Sequence, residues 1–204
     1  MSAIARRTGW TALTALLLAG CAAPPLKLYT LAGSSVGESA QPLTRGAAVI
    51  EVDRLVLPDD VDSQDILVRN GDVMERSDTG RWVSRLSRLA TELVTSRLAM
   101  RAPAALVTDS WPDEPPNYRV IIRVARMDIA SNGLALLVAD WQVSARDPGE
   151  SSVRGRAQIR LSGPTAMDAD IVRLETALFE RLADTIVIPR GFTASDTVAS
   201  EHTP

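Results

Sequence analysis

The sequence holds one cysteine, one histidine and 4% aromatic residues among its 204 positions, and each scarcity removes a class of function. A zinc site needs about four nitrogen or sulfur ligands, and thiol catalysis needs a cysteine with a base beside it. Cys21 stands near the start and His202 near the end, so neither arrangement is expected. With no second cysteine there is no internal disulfide, and an exported domain of this kind must draw its stability from an apolar core. Blocks of like charge are missing too. Lys+Arg 22 against Asp+Glu 25 gives a formal net charge of -3, which argues against an electrostatic nucleic-acid binder. No nucleophile with a base, no Gly-rich phosphate turn and no solenoid repeat appears, so neither an enzyme nor a cofactor is expected. What is present is 46% hydrophobic and 23% charged, the balance of one globular domain or at most two small ones.

Residues 1–20 read as an export signal. Arg6 and Arg7 form a positive start, and Trp10 to Leu18 is an apolar run too short to span a bilayer. The segment ends Leu18-Ala19-Gly20-Cys21, similar to the lipobox of bacterial lipoproteins, in which the cut falls before the cysteine. That resemblance implies that the Cys21 thiol takes a diacylglycerol and that the new amino terminus is acylated. Two or more acyl chains, at ~0.8 kcal/mol per buried methylene, give stable anchoring. Loss of the signal takes the formal charge from -3 to -5. Ala22 and Ala23 follow Cys21 without the aspartate that marks inner-membrane retention, which points to the outer membrane, facing the periplasm.

The stretch 21–46 carries Pro24, Pro25, Gly33, Gly37 and Pro42 and reads as a lipidated cysteine with a flexible tether. A tether of roughly 25 residues reaches about 25–30 Å. Only Leu28 to Leu31 has strand character there. The domain proper is expected over 47–191, with a polar tail over 192–204. Ala48 to Leu57 reads as a strand, and Asn70-Gly71 between two short apolar runs reads as a two-residue hairpin turn. Trp82, Leu86, Leu89, Leu93 and Val94 predict an amphipathic helix over 81–100. Three alternating runs follow: Tyr118 to Ile129, the run after Gly133 to Ala145, and Val153 to Leu161. They make an antiparallel meander with one wet face. Thr165-Ala166-Met167-Asp168 resembles a capping box, and Ile171, Leu174, Leu178, Leu182 and Ile186 continue as a second helix. The fold class is therefore α+β, an antiparallel sheet with two amphipathic helices packed on one face.

Candidate contacts are few. Asp59, Asp60, Asp62 and Asp65 cluster but lack the calcium-loop spacing, so no metal site is expected. Arg154, Arg156 and Arg160, with Arg119 and Arg123, line one strand face, either as a solvated surface or as a contact for lipid head groups or an acidic partner. Trp82 and Trp141 fall on buried faces. Trp111, beside Pro112, sits in a loop where it serves as a partner or lipid contact or folds onto the core.

The order of these features resembles the ABC-type transport auxiliary lipoproteins, the family of the paraquat-inducible protein C lipoprotein. The resemblance rests on the lipobox at Cys21, then Tyr29-Thr30-Leu31, Ile50-Glu51-Val52 with Leu57-Pro58, and Asp62 with Ile66-Leu67-Val68-Arg69. It continues through Arg81-Trp82 opening the first helix, Tyr118-Arg119-Val120 and Trp141. Two departures concern the partner surface: Leu28-Tyr29 replaces a tyrosine pair, and Val83-Ser84-Arg85 replaces an acidic residue or proline after Arg-Trp. The resemblance implies a non-catalytic lipoprotein that works with an ABC permease and ATPase and an MCE-domain protein. Such systems move lipids or other hydrophobic molecules across the envelope and support membrane integrity. The other reading is a free-standing lipoprotein that binds a hydrophobic ligand or assists assembly of an outer-membrane complex. A homo-oligomer stays open in both.

Overall fold

Alternation in the C-terminal half becomes three long strands, and everything else packs around them. In this computed structural model the described residues are 25–31, 43, 46–112 and 114–188. The export signal, Cys21 and the polar tail lie outside them. The elements are β1 (Lys27–Tyr29), β2 (Val49–Val52), β3 (Asp65–Asn70), β4 (Val73–Trp82), α1 (Leu86–Arg101), β5 (Leu106–Thr108), β6 (Tyr118–Ile129), β7 (Leu134–Ala145), β8 (Val153–Ser162) and α2 (Asp168–Thr185).

The strands form two sheets, one of five in the order β5-β2-β6-β7-β8 and one of three in the order β1-β4-β3. The β6-β7-β8 meander is antiparallel, as its short turns require. A register shift between Val124 and Arg126 makes Ala125 the extra residue of a bulge. The bulge resets the alternation, so that Met127 and Ile129 return to the buried side shared by Val120, Ile122 and Val124. The two helices lie side by side in the core, α2 against β7 and β8 of the meander and α1 against β5. Leu178, Phe179, Leu182 and Ala183 of α2 are fully buried there, as are Ala90 and Val94 of α1. Trp141 and Leu178 both belong to this core, at 6% and 0% exposure.

Several elements depart from the sequence expectation. The large sheet is mixed, because β2 runs parallel to both β5 and β6. A parallel pair needs a crossover, and β3, β4 and α1 together supply the one between β2 and β5. Arg81 and Trp82 do not open a helix. They end β4, where Trp82 faces Tyr29 of β1 and its backbone N–H donates to the Gln64 carbonyl. Helix α1 starts four residues on, its first turn held from a distance: Asp62 Oδ1 accepts from Ser87 N at 2.9 Å, and Ser63 O from Leu86 N. The hairpin turn sits one residue later than expected. Asn70 pairs with Val73, leaving Gly71-Asp72 as the loop, with Gly71 at φ 60°. The capping carboxylate of α2 is Asp170, which accepts from Met167 N at 3.2 Å, two residues beyond the expected Asp168. Asp168 instead accepts from Thr79 Oγ1 at 2.9 Å and ties α2 to β4. A side chain at position 80 would displace that carboxylate, since a Cβ there would lie 2.4 Å from Asp168 Oδ2.

The stretch expected as a tether also changes. Lys27–Tyr29 pair with Gly80–Trp82, and Leu31 is buried. Six residue steps separate Cys21 from the first paired residue, Lys27, a span of at most about 20 Å.

Candidate docking face

The outward face of the meander carries two cross-strand rows. Ile121, Gln142 and Arg154 stand in one, and Arg123, Asp140 and Arg156 in the next. They line a groove of about 410 Å3, floored in part by Trp141 and Gly155. On the buried side of the same strands Gly155 leaves room for the Trp141 ring, whose Cζ2 a Cβ at that position would meet at 2.5 Å.

Arg156 grips Asp140 with two hydrogen bonds, Nε to Oδ1 at 2.6 Å and Nη2 to Oδ2 at 3.1 Å. The hydrogen bond from Arg156 holds the Asp140 carboxyl below its ordinary pKa, and Asp140 in turn raises that of Arg156. Arg123 and Arg154 have no carboxylate partner among the described residues. The groove therefore carries three cations and one anion on a chain whose overall charge is negative.

The residues singled out in the sequence divide accordingly. Arg154 and Arg156 come together with Arg123. Arg160 lies farther along β8, opposite Leu136 and outside the groove lining. Arg119 is neutralised by Glu51 at 2.8 Å and Asp53 at 3.6 Å. Trp111 is 89% exposed in the loop between β5 and β6 and takes no part in the groove. Two aspartates of the acidic loop have structural work: Asp62 holds the start of α1, and Asp65 pairs with Arg81 at 2.9 Å. Among the described residues no group of three His, Cys, Asp or Glu side chains suits a metal ion.

One buried group escaped the sequence reading. Glu175 of α2 is 3% exposed, and its Oε2 has no hydrogen-bond partner among the described residues. It borders a cavity of about 10 Å3 at the seam between the sheets, beside Leu67 and Met74 of one and Met127 and Ile129 of the other. Burial pushes its carboxyl pKa up to about 8. The helical spacing held the signal, since position 175 lies four residues after Ile171 and three before Leu178, on the apolar stripe.

With the two sheets and the groove in place, comparison with known families is decisive. The model of the ABC-type transport auxiliary lipoprotein component family matches residues 29–187. The chain belongs to this family. The match begins inside β1 and ends just past α2, so it takes in both sheets and both helices. Among solved structures, an uncharacterized protein has a TM-score of 0.62 at 11% identity, over 78% of this chain and 95% of that one. A Xanthomonas campestris protein has a TM-score of 0.56 at 10% identity, over 77% of this chain and 90% of that one. Both likenesses are of fold. No curated protein matches the sequence. The family is one of lipoproteins of the bacterial envelope that assist ABC-type transport, and among the described residues no helix is long and apolar enough to cross a membrane.

Proposed function

We propose that this lipoprotein is a non-catalytic docking component of an MCE-type ABC transport system, held at the outer membrane by acylated Cys21 and facing the periplasm. Its partner is the MCE-domain protein that stands between it and the permease and ATPase, and the cargo is a lipid or another hydrophobic molecule. The supporting observation is the groove with unpaired Arg123 and Arg154, which complements an acidic surface. Complementary charge of this kind raises the encounter rate and fixes the register of docking. The two small pockets against the core, one lined by Ile50, Leu98 and Val120 and the other beside Glu175, measure about 10 Å3 each. That is room for one water and not for an acyl chain, so neither of these two core pockets offers a lipid a buried site.

Binding of the mature chain to the MCE-domain protein of the same transport system tests the reading. Arg123→Glu with Arg154→Glu should slow association at least tenfold and flatten its salt dependence. An association rate unchanged by the double charge reversal would remove the groove from the contact. Loss of the gene should sensitise cells to detergents. Absence of binding to the MCE-domain protein, together with micromolar binding of free lipid, would replace this function with that of a ligand carrier.

A further inference from the structure

We infer that the edge of the three-stranded sheet formed by β1 and the end of β4 is the face that rests on the bilayer. The inference rests on the acylation of Cys21 proposed above, and goes beyond it by assigning a surface. Leu26 and Leu28 are 52% and 64% exposed and lie two residues apart on extended chain, so they project to the same side. Val83, 48% exposed, follows directly on the strand that pairs with β1, and its N–H donates to the Tyr29 carbonyl at 2.9 Å. Three aliphatic side chains thus crowd one sheet edge, while the next two inward positions, Tyr29 and Leu31, turn into the core.

The chain outside the structure says what covers this edge. Lys27 is at most about 20 Å from the acylated residue, so β1 stays within about that distance of the membrane surface even with the intervening residues fully extended. Exposed leucines held that close to a bilayer are within reach of the boundary between head groups and acyl chains, where their burial is favourable. Lys27, itself exposed and the only lysine in the sequence, stands between the two leucines and so leaves the strand on the other side, but on an edge strand its four-carbon stem is long enough to carry the ammonium round to the lipid phosphates. Arg85, exposed in the loop after Val83, is already engaged by Asp62, whose backbone carbonyl accepts from Nη1 at 2.9 Å and whose carboxylate lies 3.7 Å away. The Arg groove lies on the other sheet. The domain would therefore sit on lipid through one sheet and meet its partner through the other.

The acylated protein in vesicles of phosphatidylcholine and phosphatidylglycerol, neither of which carries a primary amine, gives the test. Leu28→Trp in a Trp111→Phe background should lose half or more of its added fluorescence when the lipids carry bromine near the head group. In the unmutated chain, whose amino terminus is acylated, Lys27 is the one primary amine, and it should react with an amine-directed ester at least tenfold more slowly on vesicles than in the soluble Cys21→Ser chain. Failure of the acylated chain to float with vesicles would sink the anchor, and this face with it. Flotation without quenching and without protection of Lys27 would overturn the face alone. Protection that already appears in the Cys21→Ser chain and grows with its concentration would assign the edge to a second copy, and would also overturn the proposal.

Discussion

The two sheets are built on different principles. The five-stranded sheet owes its centre to residues close in sequence: β6, β7 and β8 follow one another through short turns, and each strand alternates cleanly. The three-stranded sheet joins Lys27–Tyr29 to Gly80–Trp82, more than fifty residues away. One sheet presents arginines to water, and the other exposes leucines at its edge. Local pairing makes a rigid scaffold on which a charged face can be displayed. Long-range pairing ties the amino terminus to the domain and thereby sets how far an anchor can be from it.

The sharpest test of this division is whether the sheets unfold together. Trp82 is the large side chain of the small sheet and Trp141 that of the large one, and a single continuous core contains both. Trp82→Ala and Trp141→Ala should each cost about 3–5 kcal/mol in chemical denaturation, with one cooperative transition. Two separate transitions in either variant would break the single core into two units.

Glu175 probes the seam. Its folded pKa of about 8 lies above the value of 4.5 for the free side chain. Below pH 4.5 both states hold the proton and its stability contribution is fully present. Between 4.5 and about 8 only the unfolded chain ionises, so stability falls as pH rises, by about 3 kcal/mol at pH 7 from the linkage of roughly 1.4 kcal/mol per unit. Glu175→Gln should flatten that slope and stabilise the protein at pH 8 relative to the parent. Denaturation midpoints at pH 4.5, 6 and 8 decide it, and an unchanged slope would mean that Glu175 finds a partner in solution. Asp65 and Asp128 border the same cavity, but their ion pairs with Arg81 and Arg69 remain in the variant.

Smaller effects separate the sheets further. Gly155→Ala should cost about 1–3 kcal/mol by forcing the Trp141 ring aside, measured by thermal unfolding, while leaving β1 and β4 intact in hydrogen exchange. Asp62→Ala removes the acceptor for Ser87 N and should cost about 1 kcal/mol, with faster amide exchange confined to the first turn of α1. Equal exchange changes throughout α1 would show that the loop carries more of the helix than its end.

The meander was legible because a strand with one wet face writes its period into the sequence, and Ser131-Asn132-Gly133 and Asp147-Pro148-Gly149 mark its turns. The small sheet was legible only in its β3-β4 hairpin, which Asn70-Gly71 marks to within one residue. Trp82 stands four residues before Leu86, so it satisfies the helical spacing, and only its pairing with the distant Tyr29 makes it a strand residue. The Arg-rich face was half legible. Alternation puts Arg154, Arg156 and Arg160 on one side of β8, but cross-strand register decides that Asp140 neutralises Arg156, that Glu51 and Asp53 neutralise Arg119, and that Arg123 and Arg154 are left over. A buried carboxylate such as Glu175 was visible only as an interruption of an apolar stripe.

Helix α2 carries a further consequence, for the timing of folding. It is the last element in the chain, yet it covers the inward face of the meander with four fully buried side chains and closes the seam between the sheets. A nascent or partly delivered chain has every strand before it has this cover, and the inner faces of β6, β7 and β8 stay open until residues 168–185 arrive. Folding of the domain is thus a terminal event, with the pairing of β1 and β4 adding a long loop closure to its barrier. Truncation within α2 leaves a chain with all its strands and no finished core, the form most exposed to proteolysis and to association through its uncovered sheet.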